Sequence, residues 1–195
     1  MCSWESILEI GPDKICCLVS RSNTEFYKGK IPWIKTGELN DSYLGKTEEY
    51  ISEDALVSSS AKKIPPNTVM FAMYGATIGK TCITTFEAAT NQACCAFLPL
   101  RKDLVDPYFL QQYLIYKRPL IISLGEGAGQ PNTSQDFMKQ FKITYPPFEE
   151  QLRISSILSN IDSMMQKQCS YKSKLDVLKH ALMQKLLTGK IRVKV

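Results

Sequence analysis

The chain has 195 residues, is 44% hydrophobic, and carries 24 Lys+Arg against 19 Asp+Glu for a formal net charge of +5. That length accommodates one domain with a real core plus an appendage, and the composition is that of an ordinary soluble protein. No apolar run approaches a membrane span, and Met1-Cys2-Ser3-Trp4-Glu5 lacks the basic and long apolar regions of a secretory signal.

Charge location says more than the total. Residues 1–148 hold 15 Lys+Arg and 15 Asp+Glu, whereas residues 149–195 hold 9 and 4. The whole excess therefore lies in the C-terminal quarter. Solvated charge on an exposed helix explains it; so does attraction to an acidic protein or to phosphate. The seven cysteines are odd in number, include the adjacent pairs Cys16-Cys17 and Cys94-Cys95, and form no C-x-x-C. Free thiols in a reducing cytoplasm follow. The only histidine, His180, has no cysteine at ligand spacing, which argues against a zinc site.

In chain order, Ser3 to Val19 mixes short apolar runs with Gly11-Pro12 and predicts strands around a turn. Ile31 to Gly37 predicts a short strand ending at a turn. Ser52 to Ser59 predicts a short helix capped by Ser52. Ile64 to Asn67 is a loop. The apolar run Thr68 to Tyr74 predicts a buried strand, turned by Gly75 to Lys80 into a second strand, Thr81 to Phe86. Gln92 to Leu98 is a third. Asp106-Pro107 is a helix start, with Asp as cap, Pro in the first turn, and Phe109, Leu110, Tyr113 and Leu114 on one apolar face. A glycine-rich loop, Gly125 to Gln130, follows. Ser134 to Gln140 predicts another short helix, and Lys142 to Tyr145 a strand.

The last element is the longest. Residues 149–188 contain no Gly or Pro, begin after Pro146-Pro147 with Glu149 and Glu150, and end at Gly189. Acids at the start and glycine at the stop suit a single helix. The core positions fall in heptads, with Ile154, Ile161, Gln168, Leu175 and Leu182 at one and Ile157, Met164, Tyr171, Leu178 and Lys185 at the other; only Gln168 and Lys185 depart from apolar. Such a seam, sustained over about four heptads, is a coiled-coil pattern. An amphipathic helix lying on its own core is the plainer alternative, but globular helices average only about three to four turns. The fold class is therefore α+β: a mixed globular domain over residues 1–148, then one long C-terminal coiled-coil helix with a short basic tail over residues 149–195.

Motifs for catalysis are weak. Gly75-Ala-Thr-Ile-Gly79-Lys80 has three residues between its glycines where a phosphate loop has four. A strand–turn–strand connection explains it better, with Thr77 and Lys80 still able to present polar groups. Ile121 to Gly129 resembles the glycine turn of S-adenosylmethionine methyltransferases, and Tyr145-Pro-Pro-Phe148 their catalytic motif. Tyr145, however, replaces the required polar residue, and the two stretches are too close for intervening βα units. No lysine follows an acid by two residues, as a common nuclease motif requires. No catalytic or metal site is expected. The polar turns Lys35-Thr36, Asn91-Gln92 and Gln130-Pro-Asn132-Thr133-Ser134-Gln135 offer groups that read base edges, although capping and turn formation use the same residues.

Taken together and in order, several segments resemble one family: the DNA-sequence-specificity subunits of type I restriction–modification systems. They are Ile31-Pro-Trp-Ile-Lys35, Gly75 to Lys80, Asn91-Gln92, Gly129-Gln130-Pro-Asn132, Pro146-Pro147-Phe-Glu-Glu150-Gln151, the long helix, and Gln184 to Lys190. The resemblance implies a noncatalytic target-recognition domain that reads one half-site of a bipartite double-stranded DNA target. It implies docking to an adenine-methyltransferase modification subunit, joined by a restriction subunit. S-adenosylmethionine, ATP and magnesium would sit on those partners, with no cofactor in this chain. Family members usually carry two recognition domains and two long helices; this sequence has one of each and resembles a half-subunit, which implies pairing with a second copy or another half. Lys35, Thr36, Thr77, Lys80, Gln130 and Asn132 are the expected DNA-facing residues. A coiled-coil interaction protein that binds no DNA is the alternative, suggested by the seam and the neutral first 148 residues.

Overall fold

The structure, a computed structural model, describes residues 19–59, 61–98, 104–127, 130–131 and 133–193. Its elements run β1 (Ile31–Ile34), β2 (Ser42–Leu44), β3 (Glu49–Ile51), α1 (Glu53–Val57), β4 (Lys63–Ile64), β5 (Val69–Ala72), β6 (Thr81–Thr84), β7 (Ala88–Thr90) and β8 (Cys94–Phe97). Then come α2 (Pro107–Gly125), β9 (Glu126–Gly127), β10 (Gln130–Pro131), α3 (Gln135–Gln140) and α4 (Phe148–Leu187). One four-stranded sheet has the order β3-β1-β7-β4 and the other β2-β6-β5-β8; β9 and β10 form a small pair. The chain divides into two compact units, Met1–Leu152 and Arg153–Val195.

In the first unit the core is organised around β5, all four of whose residues are buried. Successive strand side chains face opposite ways. Val69 and Phe71 join Ile83, Cys95 and Phe97, against Leu110, Leu114 and Ile121 of α2 and Met138 of α3. Met70 and Ala72 join Cys82, Cys94 and Ala96, against Ile31, Trp33 and Ile64 of the other sheet. The β5 sheet is thus covered on both faces. That is why Thr68 to Tyr74 is continuously apolar instead of alternating. Each large side chain so buried contributes about 1.5–3 kcal/mol.

The expected helix caps are present. Ser52 accepts the Ala55 N–H at 3.2 Å, Ser134 that of Phe137 at 3.0 Å, and Asp106 that of Phe109 at 2.9 Å. α2 passes through Pro119 and runs to Gly125. The glycine-rich loop is shorter than expected, because β9 and β10 pair antiparallel across it. Lys142 to Tyr145 is not a strand. Ile143 is buried in the α2-side core, but the segment leads into Pro146 and Pro147, which have no N–H to give a ladder. β4 takes in Ile64, so the following loop starts one residue later than expected. The strands expected across Ser3 to Val19 fall almost wholly outside the described residues.

α4 is 40 residues long, with Glu149 and Glu150 in its first turn. It stops at Gly189, whose φ of 72° is open to glycine at little cost. Within the second unit, residues 159–193 are all exposed, including the seam residues Ile161, Met164, Gln168, Tyr171, Leu175, Leu178 and Leu182. Among the described residues, no helix is long and apolar enough to cross a membrane, and no group of acids, cysteines and histidine is placed to hold a metal ion. Cys82, Cys94, Cys95 and Cys169 are free thiols. Burial pushes the Cys82 and Cys94 thiols up to about 12, so they pack as small hydrophobes and not as nucleophiles.

Candidate functional site

Two of the expected polar turns and the segment carrying a third meet at one residue. Met73 follows β5; its N–H donates to the Ala93 carbonyl at 2.8 Å. Its own carbonyl accepts from the Thr133 N–H at 2.9 Å and the Thr133 hydroxyl at 2.8 Å. Ala93 belongs to the turn that starts at Asn91, whose side chain accepts the Ala93 N–H at 3.2 Å. Thr133 closes the segment that carries Gln130. The Gly75 to Lys80 turn begins two residues beyond Met73. Gly75–Lys80, the turn from Asn91 to Ala93, and Thr133 therefore converge at one end of β5, although about 60 residues separate the first from the last.

Gly75 to Lys80 is a tight connection between β5 and β6. The Gly79 N–H donates to Ala72 at 2.9 Å, Ile78 to Gly75 at 3.1 Å, and Lys80 to Thr77 at 2.9 Å. Gly75 and Gly79 have φ of 84° and 81°, which explains both glycines. It is a hairpin turn and not a phosphate loop. Thr77 is half-buried on it. The Lys80 ammonium lies 3.0 Å from Asp41 Oδ2.

Nothing in the sequence context marks Asp41 or Arg118. Asp41 Oδ1 accepts from the Thr81 N–H at 3.0 Å, from the Thr81 hydroxyl at 3.2 Å, and from Arg118 at 2.5 Å. The Arg118 Nε–H donates to the Gly79 carbonyl at 2.8 Å. A Cβ on Gly79 would lie 2.7 Å from Arg118 Cγ, so the glycine also makes room for this side chain. Burial raises the Asp41 pKa, but donors from Lys80, Thr81 and Arg118 outweigh it and hold the carboxyl below its ordinary value. Separations of 39 and 77 residues join these groups, which no local pattern reveals.

Lys35 and Thr36 open a short 3-10 turn, Thr36–Glu38, after β1. Glu38 organises it: Oε2 accepts the Lys35 N–H at 2.8 Å, while Oε1 accepts the Glu48 N–H at 2.8 Å and the Thr47 hydroxyl at 2.7 Å. The Lys35 ammonium lies 3.1 Å from Glu48 and 3.0 Å from Glu49, and Arg21 also binds Glu49, at 3.1 Å. The hydrogen bond to Glu49 is the main reason that the Lys35 pKa is raised, against a smaller desolvation. The connection from Lys35 to Asp41 thus has one cation cluster at its start and another at its end. Gln130 sits in β10 opposite Gly127. Asn132 lies outside the described residues.

The methyltransferase-like stretches do not form a site. Ile121 to Gly125 is the helical end of α2, and Pro146-Pro147 leads into α4.

Comparison with known proteins agrees with this architecture. Residues 6–170 match the profile of the type I restriction modification DNA specificity domain. The chain belongs to that family. It is 28% identical over 167 residues to the Escherichia coli type I restriction enzyme EcoR124I/EcoR124II specificity subunit, covering 83% of this chain and 41% of that one. To the Methanocaldococcus jannaschii MjaIX specificity subunit it is 28% identical, covering 73% of this chain and 33% of the relative. Among solved structures, the HsdS subunit from Thermoanaerobacter tengcongensis aligns with a TM-score of 0.56 at 18% identity, over 93% of this chain and 41% of that one. The type I restriction-modification S subunit from M. genitalium gives 0.55 at 16%, over 84% and 40%. The chain therefore spans less than half the length of the specificity subunits it matches, and the α+β fold with a long C-terminal helix is that of the family.

Proposed function

We propose that this chain is a noncatalytic DNA sequence-specificity subunit of a type I restriction–modification complex. It recognises one half-site of a bipartite double-stranded target and docks an adenine-methyltransferase modification subunit; a restriction subunit joins that complex. S-adenosylmethionine, ATP and magnesium belong to those partners. The observation that carries this reading is the family match over residues 6–170 together with the convergence of the family-like polar turns at Met73. Thr77 and Lys80 stand on that end of the sheet, and Gln130 and Asn132 belong to the stretch of sequence that Thr133 closes. Side-chain amides and hydroxyls there suit base edges, and Lys80 suits a phosphate. Lys35 and Thr36 form a second group, at the far end of the connection that leads to Asp41.

The exposed seam of α4 supports pairing with a second copy or another half-subunit. Two identical halves related by a twofold axis would read inverted half-sites, so the methylated motif would be a gapped palindrome. The test is co-purification with the host's modification subunit, followed by mapping N6-methyladenine in the genome. A specificity subunit takes its motif with it when its gene is deleted. An unchanged set of methylated motifs, with no modification subunit co-purifying, rules the proposal out.

One observation favours the second reading, a coiled-coil interaction protein without DNA binding. Lys35 and Lys80 are both already ion-paired, and the first 148 residues are neutral overall. Sequence-selective retardation of DNA by the purified complex, at a stated low salt, removes it.

A further inference from the structure

The ion pair that occupies Lys80 is asymmetric in a way that bears on how the turn meets DNA. Asp41 uses its two oxygens differently. Oδ1 takes the Thr81 N–H, the Thr81 hydroxyl and Arg118, whereas Oδ2 takes Lys80. Arg118 is also tied to the Gly79 carbonyl, and its side chain and that of Asp41 are each 22% exposed. The Lys80 side chain is 45% exposed, and among the described residues the Oδ2 contact is its only side-chain bond. Removing Lys80 from Oδ2 leaves the carboxylate with three donors, the Arg118 guanidinium among them. Removing Arg118 would instead free the Gly79 carbonyl and unseat the turn. Two cations face one anion here, so the cluster carries one net positive charge.

We propose that Asp41 is a restraint on Lys80: it holds the ammonium in the free protein and releases it to a DNA phosphate on binding, while Arg118 and Thr81 keep Asp41 satisfied and the turn in place. This rests on the DNA-recognition reading above and adds a positioning residue, Asp41, and a fixed cation, Arg118, to it. The exchange is physically balanced. A half-exposed ion pair is weak, whereas a lysine that neutralises a phosphate releases condensed counterions. The carboxylate beside Lys80 lowers sequence-independent attraction to any duplex. Base contacts from the neighbouring segment therefore count for more in choosing a site.

The experiment uses the full chain in the assembly that retards DNA selectively. Affinity for a target duplex and a scrambled duplex is measured across salt concentrations for wild type, Asp41→Asn and Lys80→Ala. Asparagine keeps an acceptor for the Thr81 N–H and removes the charge. Lys80→Ala should reduce the steepness of the log K against log salt plot by about 1 on both duplexes. Asp41→Asn should tighten both duplexes about threefold or more at low salt, and narrow the ratio between them. A salt slope unchanged in Lys80→Ala means that Lys80 stays on Asp41 in the complex, and overturns the release. Unchanged or weakened binding by a folded Asp41→Asn overturns the restraint. Should Asp41→Asn fail to fold, Asp41→Ser, a smaller uncharged acceptor, takes its place and is read by the same two outcomes. In either failure, a wild-type complex that still prefers its target leaves the DNA-recognition reading standing; loss of that preference in wild type would remove both.

Discussion

The side-chain oxygen of Gln151, in the first turn of α4, accepts the backbone N–H of Asp106 at 2.9 Å, at the start of α2. The Gln151 amide nitrogen donates to the carbonyls of Leu104 at 3.0 Å and Pro146 at 2.8 Å. The residue is fully buried, so one amide joins the start of α2 to the entry of α4 with its oxygen and both its protons engaged. Gln151→Leu keeps the volume and removes all three bonds, leaving buried backbone groups to lose their partners. The expected cost is about 3 kcal/mol, read as a lower urea midpoint. A loss below about 0.5 kcal/mol would show that water replaces the amide.

A different constraint acts at Gly29. A Cβ there would lie 1.9 Å from the Ile51 carbonyl oxygen and 2.2 Å from the Ser52 nitrogen, both backbone atoms of the β3–α1 junction. The neighbour cannot turn aside as a side chain would. Gly29→Ala should therefore destabilise by about 3 kcal/mol or more. At Gly45 nothing lies within 4 Å, so Gly45→Ala should fall within about 0.5 kcal/mol of wild type. Thermal melts of the two variants side by side check the contrast; equal losses would refute it.

How much of this was legible in the sequence differs between levels. Caps such as Ser52, Ser134 and Asp106 act on residues three positions away, so local order reveals them. The α4 heptads and the run through β5 are likewise local signals. The parallel pairing of β1 with β7 and of β2 with β6 is not, because it joins strands far apart in the chain. Short edge strands such as β2 and β3 carry too few residues for a period-2 pattern to stand out. The same applies to the site. Thr77, Lys80 and Gln130 stand out as polar groups on glycine or proline turns. Their anchors, Asp41, Arg118 and Thr133, look like ordinary residues, because they act only across the folded core.

Acid should weaken the clusters at both ends of the Lys35–Asp41 connection. Burial raises the carboxyl pKa values of Asp41 and Glu49, but Lys80, the Thr81 N–H and Arg118 pull Asp41 below its ordinary 3.8, and Lys35 and Arg21 pull Glu49 below its ordinary 4.5. A depressed native pKa contributes stability that is present above the unfolded value and is lost as pH falls through the native one. The stability difference between wild type and Asp41→Asn should therefore be largest near neutrality and shrink below about pH 4. Lys35 has the opposite sign. Its raised pKa contributes stability below 10.5 that is lost as pH rises through the native value. Urea midpoints at several pH values check both limbs; a gap between wild type and Asp41→Asn that widens in acid would contradict the assignment.

The last prediction concerns the register in which α4 meets a second copy. Lys167 and Lys174 flank the seam on one side, Lys172 and Lys179 on the other, and all four are exposed. A parallel, in-register pair would set Lys167 against Lys172 and Lys174 against Lys179 of the partner helix. Each such like-charge contact is unfavourable by about 0.3 kcal/mol. Antiparallel pairing removes these contacts, leaving Lys167 against Lys174 of the partner helix and freeing Lys172 and Lys179, and it matches Gln168 with Tyr171, Ile161 with Leu178, Met164 with Leu175, and Ile157 with Leu182. The Gln168–Tyr171 layer then falls at the centre, among apolar layers, with Lys185 against Ile154 only at the ends, and Gln168 and Tyr171 can hydrogen-bond and fix the register. Cys169 is exposed on this helix, so the test needs a background cleared of native cysteines. In it, a chain carrying Met164→Cys and Leu175→Cys should form disulfide-linked dimers under mild oxidation. Efficient self-crosslinking of Tyr171→Cys, with no crosslink between positions 164 and 175, would establish a parallel pair instead, and with it two recognition domains at the same end.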